Sequence, residues 1–272
     1  MTNNLDRLGV KSIISNYDLF FIDIWGVVHN GISLFESSID VLKKIEELDK
    51  QYVLLTNAPR PNAIVRKFLE NMGLDNTISK KVYTSGEAAL DYLTSVYKEK
   101  KFFHIGPPKD FDLFKLFEKN KMSSPDKADY LLCTGLFEDQ DKNLDFYEQL
   151  LKNEIKKKMI CTNPDLIVDR GKVREYCAGS VAKVFEKIGG KVEYFGKPYP
   201  NVYSQSTNIK DKKILCIGDN LNTDIRGANL QNFSSLFISS GIHRNEFDEN
   251  QPEILFNKYN VTANYFQSNL KW

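Results

Sequence analysis

Short, uniformly apolar runs alternate with amphipathic stretches along this chain. Leu19–Ile22 and residues 52–56 (YVLLT), 213–217 (KILCI) and 235–239 (SLFIS) show no helical spacing, so they read as parallel strands covered on both faces. Residues 38–50 (SIDVLKKIEELDK) place Ile39, Leu42, Ile45 and Leu48 on one stripe, with Ser37 or Ser38 as N-cap. Residues 62–73 (NAIVRKFLENMG) close on Gly73, a residue suited to a helix C-terminus. This alternation predicts an α/β fold built on a doubly wound parallel sheet.

In such sheets ligands bind beyond the carboxyl ends of the strands, so the residues that end each run carry the most information. The first run ends in Asp23, the second in Thr56 and Asn57, the run VEYFG is followed by Lys197, and KILCIG by Asp219. Their convergence on one sheet edge is the expectation. The chain between Thr56 and Lys197 far exceeds the roughly 30 residues of one βαβ unit, so a second domain is inserted. It has its own strand candidates at 101–105 (KFFHI), 129–135 (DYLLCTG) and 158–163 (KMICTN), and a helix at 144–157. We expect a core from residues 1–86 and 181–272 and an inserted α/β domain at 87–180, with Gly86 and Glu87 opening the first helix on the way into it.

Composition narrows the partners. With 37 basic and 36 acidic residues the formal charge is +1, so no whole-molecule field recruits nucleic acid or an anionic membrane. The four cysteines form no C-x-x-C pair and mostly sit in apolar runs, which reads as reduced packing residues of a cytoplasmic protein. The first residues lack a signal-peptide profile, and no apolar run is long enough to span a bilayer. A homodimer is compatible with the sequence, which nowhere demands one.

The residues at the strand ends suggest chemistry. Asp23 and Asp219 suit a hard divalent cation such as Mg²⁺, which binds through one or two carboxylates plus waters and phosphate oxygens. Lys197 and Thr56 supply a point charge and a hydroxyl for a phosphoryl group that gains charge in its transition state. A carboxylate can then act as nucleophile if its own charge is offset. Asp224, five residues after Asp219, reads by itself as an acid at a helix N-terminus beginning near Asn222 or Thr223.

The stretches DIWGVVHNG (23–31), LLTNAPR (54–60), CTNPD (161–165), GKPYPNVY (196–203) and GDNLNTDI (218–225) resemble the haloacid dehalogenase (HAD) superfamily. Within it they resemble subfamily IIA, the NagD-like sugar and nucleotide phosphatases with a large type-two cap. The resemblance implies a Rossmann-like core with the cap inserted between the threonine and lysine motifs. It further implies a Mg²⁺-dependent phosphatase of a small phosphorylated metabolite, in which Asp23 forms an aspartyl-phosphate. Asp23, Asp219 and the backbone carbonyl of Trp25 would hold the metal, Thr56, Asn57 and Lys197 the phosphate, and Asp224 would orient Lys197 or metal-bound water. Asn163 and Asp165 match the substrate-facing cap loop; by themselves they also read as an Asx turn around Pro164.

One departure stands out. The family's second aspartate, two residues after the nucleophile, is Trp25 here, and an indole N–H donates a hydrogen bond but transfers no proton in water. General acid–base help is worth roughly 10² to 10⁴ in rate, so turnover is expected to be slow on poor leaving groups. The alternative is a catalytically weakened protein that binds a phosphorylated ligand without efficient turnover. His29 reads either as a substitute acid–base or as a loop histidine beside the Asn30–Gly31 turn, and we take it as the second. Arg60 reads as meeting a substrate anion or covering a helix start. His104 and His243 lack a neighbouring motif and read as structural or surface residues.

Overall fold

The computed structural model describes residues 2–170 and 173–272. Its strands are β1 (Asn3–Asn4), β2 (Leu19–Ile22), β3 (Gln51–Thr56), β4 (Val82–Thr84), β5 (Phe102–Ile105), β6 (Tyr130–Cys133) and β7 (Lys158–Cys161), followed by β8 (Ile167–Arg170), β9 (Val173–Tyr176), β10 (Lys191–Tyr194), β11 (Ile214–Gly218), β12 (Ser234–Ile238) and β13 (Tyr265–Gln267). Seven of them form a parallel sheet in the order β1-β13-β12-β11-β2-β3-β4. Four more form a second parallel sheet, β10-β7-β6-β5, and β8 and β9 make an antiparallel pair.

The apolar runs lack alternation because both faces of each sheet are covered. Phe20, Ile22, Leu54 and Leu215 point into one buried cluster, while Leu19, Phe21, Val53 and Ile214 point into another on the opposite face. The smaller sheet repeats the arrangement. Leu131, Met159 and Cys161 pack with Phe185 on one face, and Phe102, Tyr130, Leu132 and Ile160 on the other. All four cysteines are buried and unbridged, as packing residues would be. No helix among the described residues is long and apolar enough to cross a membrane.

Three local expectations change. Helix Glu36–Glu47 starts without a side-chain cap, and the buried Ser38 hydroxyl instead donates to the Val27 carbonyl at 2.6 Å. Val41, Leu42 and Ile45 are its buried apolar residues, whereas Leu48 is left outside the helix and exposed. The helix expected over 144–157 ends at Leu151, because the chain beyond it offers only a half-exposed Ile155 and therefore no apolar stripe to bury. Most consequentially, the smaller sheet runs past the expected limit at residue 180. That limit falls inside helix Ala178–Lys187, and the next strand, β10, pairs with β7 rather than with the large sheet. The run before Lys197 is thus an edge strand of the inserted sheet, a distinction periodicity cannot make when both sheets are parallel and buried.

Loops after β2, β3, β11 and β12 of the large sheet and after β5, β6 and β7 of the small one line a common cavity of about 840 Å³. The two sheets therefore turn their carboxyl ends toward each other across it.

Phe185 is fully buried in the inserted domain's core. Phe185→Ala is expected to lower unfolding stability by about 3–5 kcal/mol, measured by urea titration. A loss below about 1 kcal/mol would mean that this core is not packed around the ring.

Candidate active site

Asp23, Trp25, Thr56, Asn57, Asn163, Asp165, Lys197 and Asp219 all line this cavity. Asp224 lies just off the lining, buried behind Lys197. Asp23 follows β2 directly and its N–H donates to Ile217 of β11 at 2.8 Å, so the central strand pair fixes its backbone. Lys197 Nζ reaches across to 2.5 Å from Asp23 Oδ1 and 2.7 Å from Asp224 Oδ1. The second Asp224 oxygen accepts from the Asn220 N–H at 3.1 Å, so both of its oxygens are engaged within the protein.

Asn57 ties this lysine to the large sheet. Its Oδ1 accepts from the Lys197 N–H at 2.7 Å, and its Nδ2 donates to the Lys197 carbonyl at 3.0 Å and to Asp165 Oδ1 at 3.2 Å. Gly196, at φ 116°, makes room for it, since a Cβ there would stand 2.5 Å from Asn57 Oδ1. Thr56 Oγ1 accepts from the Ala58 N–H at 3.3 Å, at the carboxyl end of β3. Asn163 forms the expected Asx turn, its Oδ1 accepting from the Asp165 N–H at 3.0 Å, and also faces the cavity. The two readings of that loop are not exclusive.

The electrostatics are dominated by buried acid. Asp23, Asp219 and Asp224 place carboxylate oxygens within 4.8 Å of one another. Burial first, and then the neighbouring Asp224, push Asp23 up to about 8, against the pull of Lys197. Asp219 is driven well above the usual carboxylate range by burial and by Asp23. Asp165, desolvated between the two domains, rises to about 6. The Lys197 ammonium is held charged by Asp224 and Asp23 despite a desolvation cost.

This donor set fits a hard divalent cation. Three acids clustered beside one ammonium lack the positive charge that would let all of them ionise, and Asp219 accepts from the Ile242 N–H at 2.8 Å. Gly26, at φ 82°, and Gly241 keep the space beside Asp219 open, since a Cβ at either would come within about 2.2 Å of its Oδ2.

Other residues fall into place around this centre. Arg60 pairs with the buried Asp110 at 3.3 Å and donates to the Lys109 carbonyl, linking the domains at the cavity wall. His104 and His243 are both buried rather than superficial: His104 Nε2 meets Thr134 Oγ1 at 2.8 Å, and His243 Nε2 accepts from the Leu221 N–H at 3.3 Å. The chain expected to begin a helix near Asn222 starts with a wide π-type turn, Leu221–Ile225, whose cap is Asn220. Sequence reading missed Asn220, Asp169, Arg174 and Arg244. Asn220 sits within GDNLNTDI, where it could have been noticed; the other three carry no local signal.

Trp25 does not stand idle. Its Nε1 donates to the Asp169 carbonyl on β8 at 2.7 Å, and its ring meets His29 edge-on at 4.9 Å.

Two family models match the chain: one described as haloacid dehalogenase-like hydrolase over residues 20–118, and one described as HAD-hydrolase-like over residues 194–260. A 4-nitrophenylphosphatase of Schizosaccharomyces pombe is 24% identical over 297 residues, covering 96% of this chain and 94% of that one. Among solved structures, a haloacid dehalogenase-like family hydrolase from Brucella suis 1330 superposes with a TM-score of 0.80 at 27% identity, over 97% of this chain and 99% of that one. A p-nitrophenyl phosphatase from Archaeoglobus fulgidus shares the fold, with a TM-score of 0.72 at 17% identity over 93% and 97% of the two chains. The chain belongs to the haloacid dehalogenase-like hydrolases. Its relatives place it in subfamily IIA, among proteins of the NagD and 4-nitrophenylphosphatase type, so the inserted domain is their cap.

His29 is buried, and its Nδ1 accepts from the Gly31 N–H at 2.7 Å. Burial pulls its pKa from 6.5 down to about 4. Because the folded value lies below the unfolded one, its stabilising effect is complete above about pH 6.5 and is lost as pH falls through about 4. His29→Gln should therefore flatten the acid limb of a stability–pH curve, yet leave the shape of the rate profile between about pH 6 and 8 unchanged. A wild-type inflection near pH 6.5 that disappears in the variant would identify His29 as an acid–base group after all.

Proposed function

We propose that this hydrolase is a Mg²⁺-dependent phosphatase of small phosphorylated metabolites, with sugar and nucleotide phosphates as the leading class, working through an aspartyl-phosphate on Asp23. The observation that carries this reading is the Lys197 ammonium set between Asp23 and Asp224, on a cavity floor that also holds Asp219. The names of relatives point the same way, two of them being nitrophenyl phosphatases.

In this reading Asp23 attacks phosphorus, the bond to the leaving oxygen breaks, and water later hydrolyses the acyl phosphate to return the carboxylate. Lys197 offsets the charge of the nucleophile and the incoming phosphate, and Asp224 fixes the lysine's position through its 2.7 Å contact. Thr56 and the Asn57 backbone, at the end of β3, bind the phosphoryl oxygens, while Asn57's side chain keeps Lys197 in place. Asn163 and Asp165 meet the remainder of the substrate from the cap. Held by Asp23, Asp219 and the Trp25 carbonyl, Mg²⁺ would supply positive charge that lets an anionic nucleophile approach an anionic phosphate. The cap covers the site, excluding bulk water and polymeric substrates.

Position 25 favours a second reading specifically: with an indole where a proton-transferring carboxylate is usual, the site binds a phosphorylated ligand and turns it over poorly. The two separate cleanly. Wild-type protein should release phosphate from an aryl ester in the presence of Mg²⁺, at least about 10²-fold faster than from an alkyl ester. Asp23→Asn should remove about 10³-fold or more of that activity. Trp25→Asp should narrow the gap between aryl and alkyl esters. Absence of turnover in wild type together with its appearance in Trp25→Asp would establish the binding reading instead.

A further inference from the structure

Trp25 lines the cavity and is held there by its neighbours. Gly31, at φ 85°, lies against the ring so closely that a Cβ there would stand 2.7 Å from Cζ2, and His29 packs on its edge. The indole N–H is spent on the Asp169 carbonyl of the cap strand β8. Asp169 in turn is the centre of a charged knot. Its Oδ1 accepts from Arg174 Nε on β9 at 2.8 Å, and its Oδ2 from Arg244 Nη1 of the core at 2.6 Å. Arg174 also donates to the Ile242 carbonyl at 3.1 Å, Arg244 to the Gly241 carbonyl at 3.1 Å, and the Ile242 N–H donates to Asp219 Oδ2 at 2.8 Å. A continuous chain of polar contacts thus leaves the nucleophile loop at Trp25, crosses the β8–β9 pair of the cap, and returns to the core at Asp219.

We propose that Trp25 is a positioning residue whose indole N–H docks the β8–β9 pair of the cap onto the nucleophile loop, so that position 25 contributes cap seating in place of proton transfer. The chemistry of the group makes this assignment consistent: indole donates one hydrogen bond in a fixed direction and takes part in no protonation equilibrium near neutrality. A rigid ring pinned by its neighbours loses little freedom when it makes that bond. The Asp169–Arg244 pair gives the same contact a charged reinforcement from a loop distant in sequence. The link to turnover rests on the phosphatase reading above, whereas the docking itself does not.

The test is hydrogen–deuterium exchange on the full, unliganded protein, comparing wild type with Trp25→Phe, which keeps a ring and removes the N–H. Amides of β8 and β9 should exchange about three- to tenfold faster, the loss expected for one hydrogen bond, with β5–β7 unaffected. Arg244→Gln should accelerate the same amides without touching the indole, and so keeps the test informative if Trp25→Phe folds poorly. In turnover of an aryl and an alkyl phosphate, Trp25→Phe should raise KM and lower kcat/KM by the same factor for both. Unchanged exchange in both variants overturns the docking. A loss that grows with the leaving group's pKa overturns it too, since the indole would then be acting on the leaving oxygen. If wild-type protein releases no phosphate with Mg²⁺, the functional reading falls while the exchange result still decides whether Trp25 docks the cap.

Discussion

Everything at this site depends on one ammonium group buried among carboxylates. Lys197 is 4% exposed and contacts Asp23 and Asp224 directly, with Asp165 and Asp219 close enough to act on it or on each other. Taking four carboxyl groups out of water around one cation disfavours their charged forms, and burial accordingly raises Asp23, Asp165 and Asp219. The remedies visible in the structure are local: backbone N–H donors to Asp219 and Asp224, amide donors to Asp165, and glycines where a side chain would crowd the acids. What the acids lack is positive charge, and a divalent cation is the partner that would let them ionise together.

The fold supplies this concentration of charge by turning two parallel sheets toward one another. Each sheet ends its strands in loops at the cavity, so residues far apart in sequence meet there without long side chains. Asn57 shows how tightly the halves are joined: one side chain holds both backbone groups of Lys197 and touches the cap loop at Asp165. Arg60 with Asp110, and Trp25 with Asp169, make further crossings on other sides of the cavity. The cap is therefore part of the site's geometry rather than a cover laid upon it.

The strands were legible because they are short, apolar and bounded by turn residues, and the core strands from β2 to β12 fall within a residue or so of their expected places. Asp23, Thr56, Asn57 and Asp219 were legible for the same reason, since each closes such a run. Lys197 was found by its motif but ascribed to the wrong sheet, as both sheets present the same pattern of buried parallel strands. The shortened helix ending at Leu151 shows the limit of periodicity where no partner surface covers the stripe. Arg244, Arg174 and Asp169 were invisible: single charged residues outside any motif gain meaning only from the contacts that the folded chain brings about.

The position of β10 carries one more implication. Only two residues separate Lys197 from the edge strand of the cap, so the cation paired with Asp23 is attached covalently to the domain that covers it. A movement of the cap large enough to displace β10 would pull on Lys197 through Phe195 and Gly196, and Asn57 would resist it. Cap position and the Lys197–Asp23 pair are in this way mechanically geared. Exchanging the cap for another would mean rebuilding the lysine's support as well, so the two domains are constrained to change together.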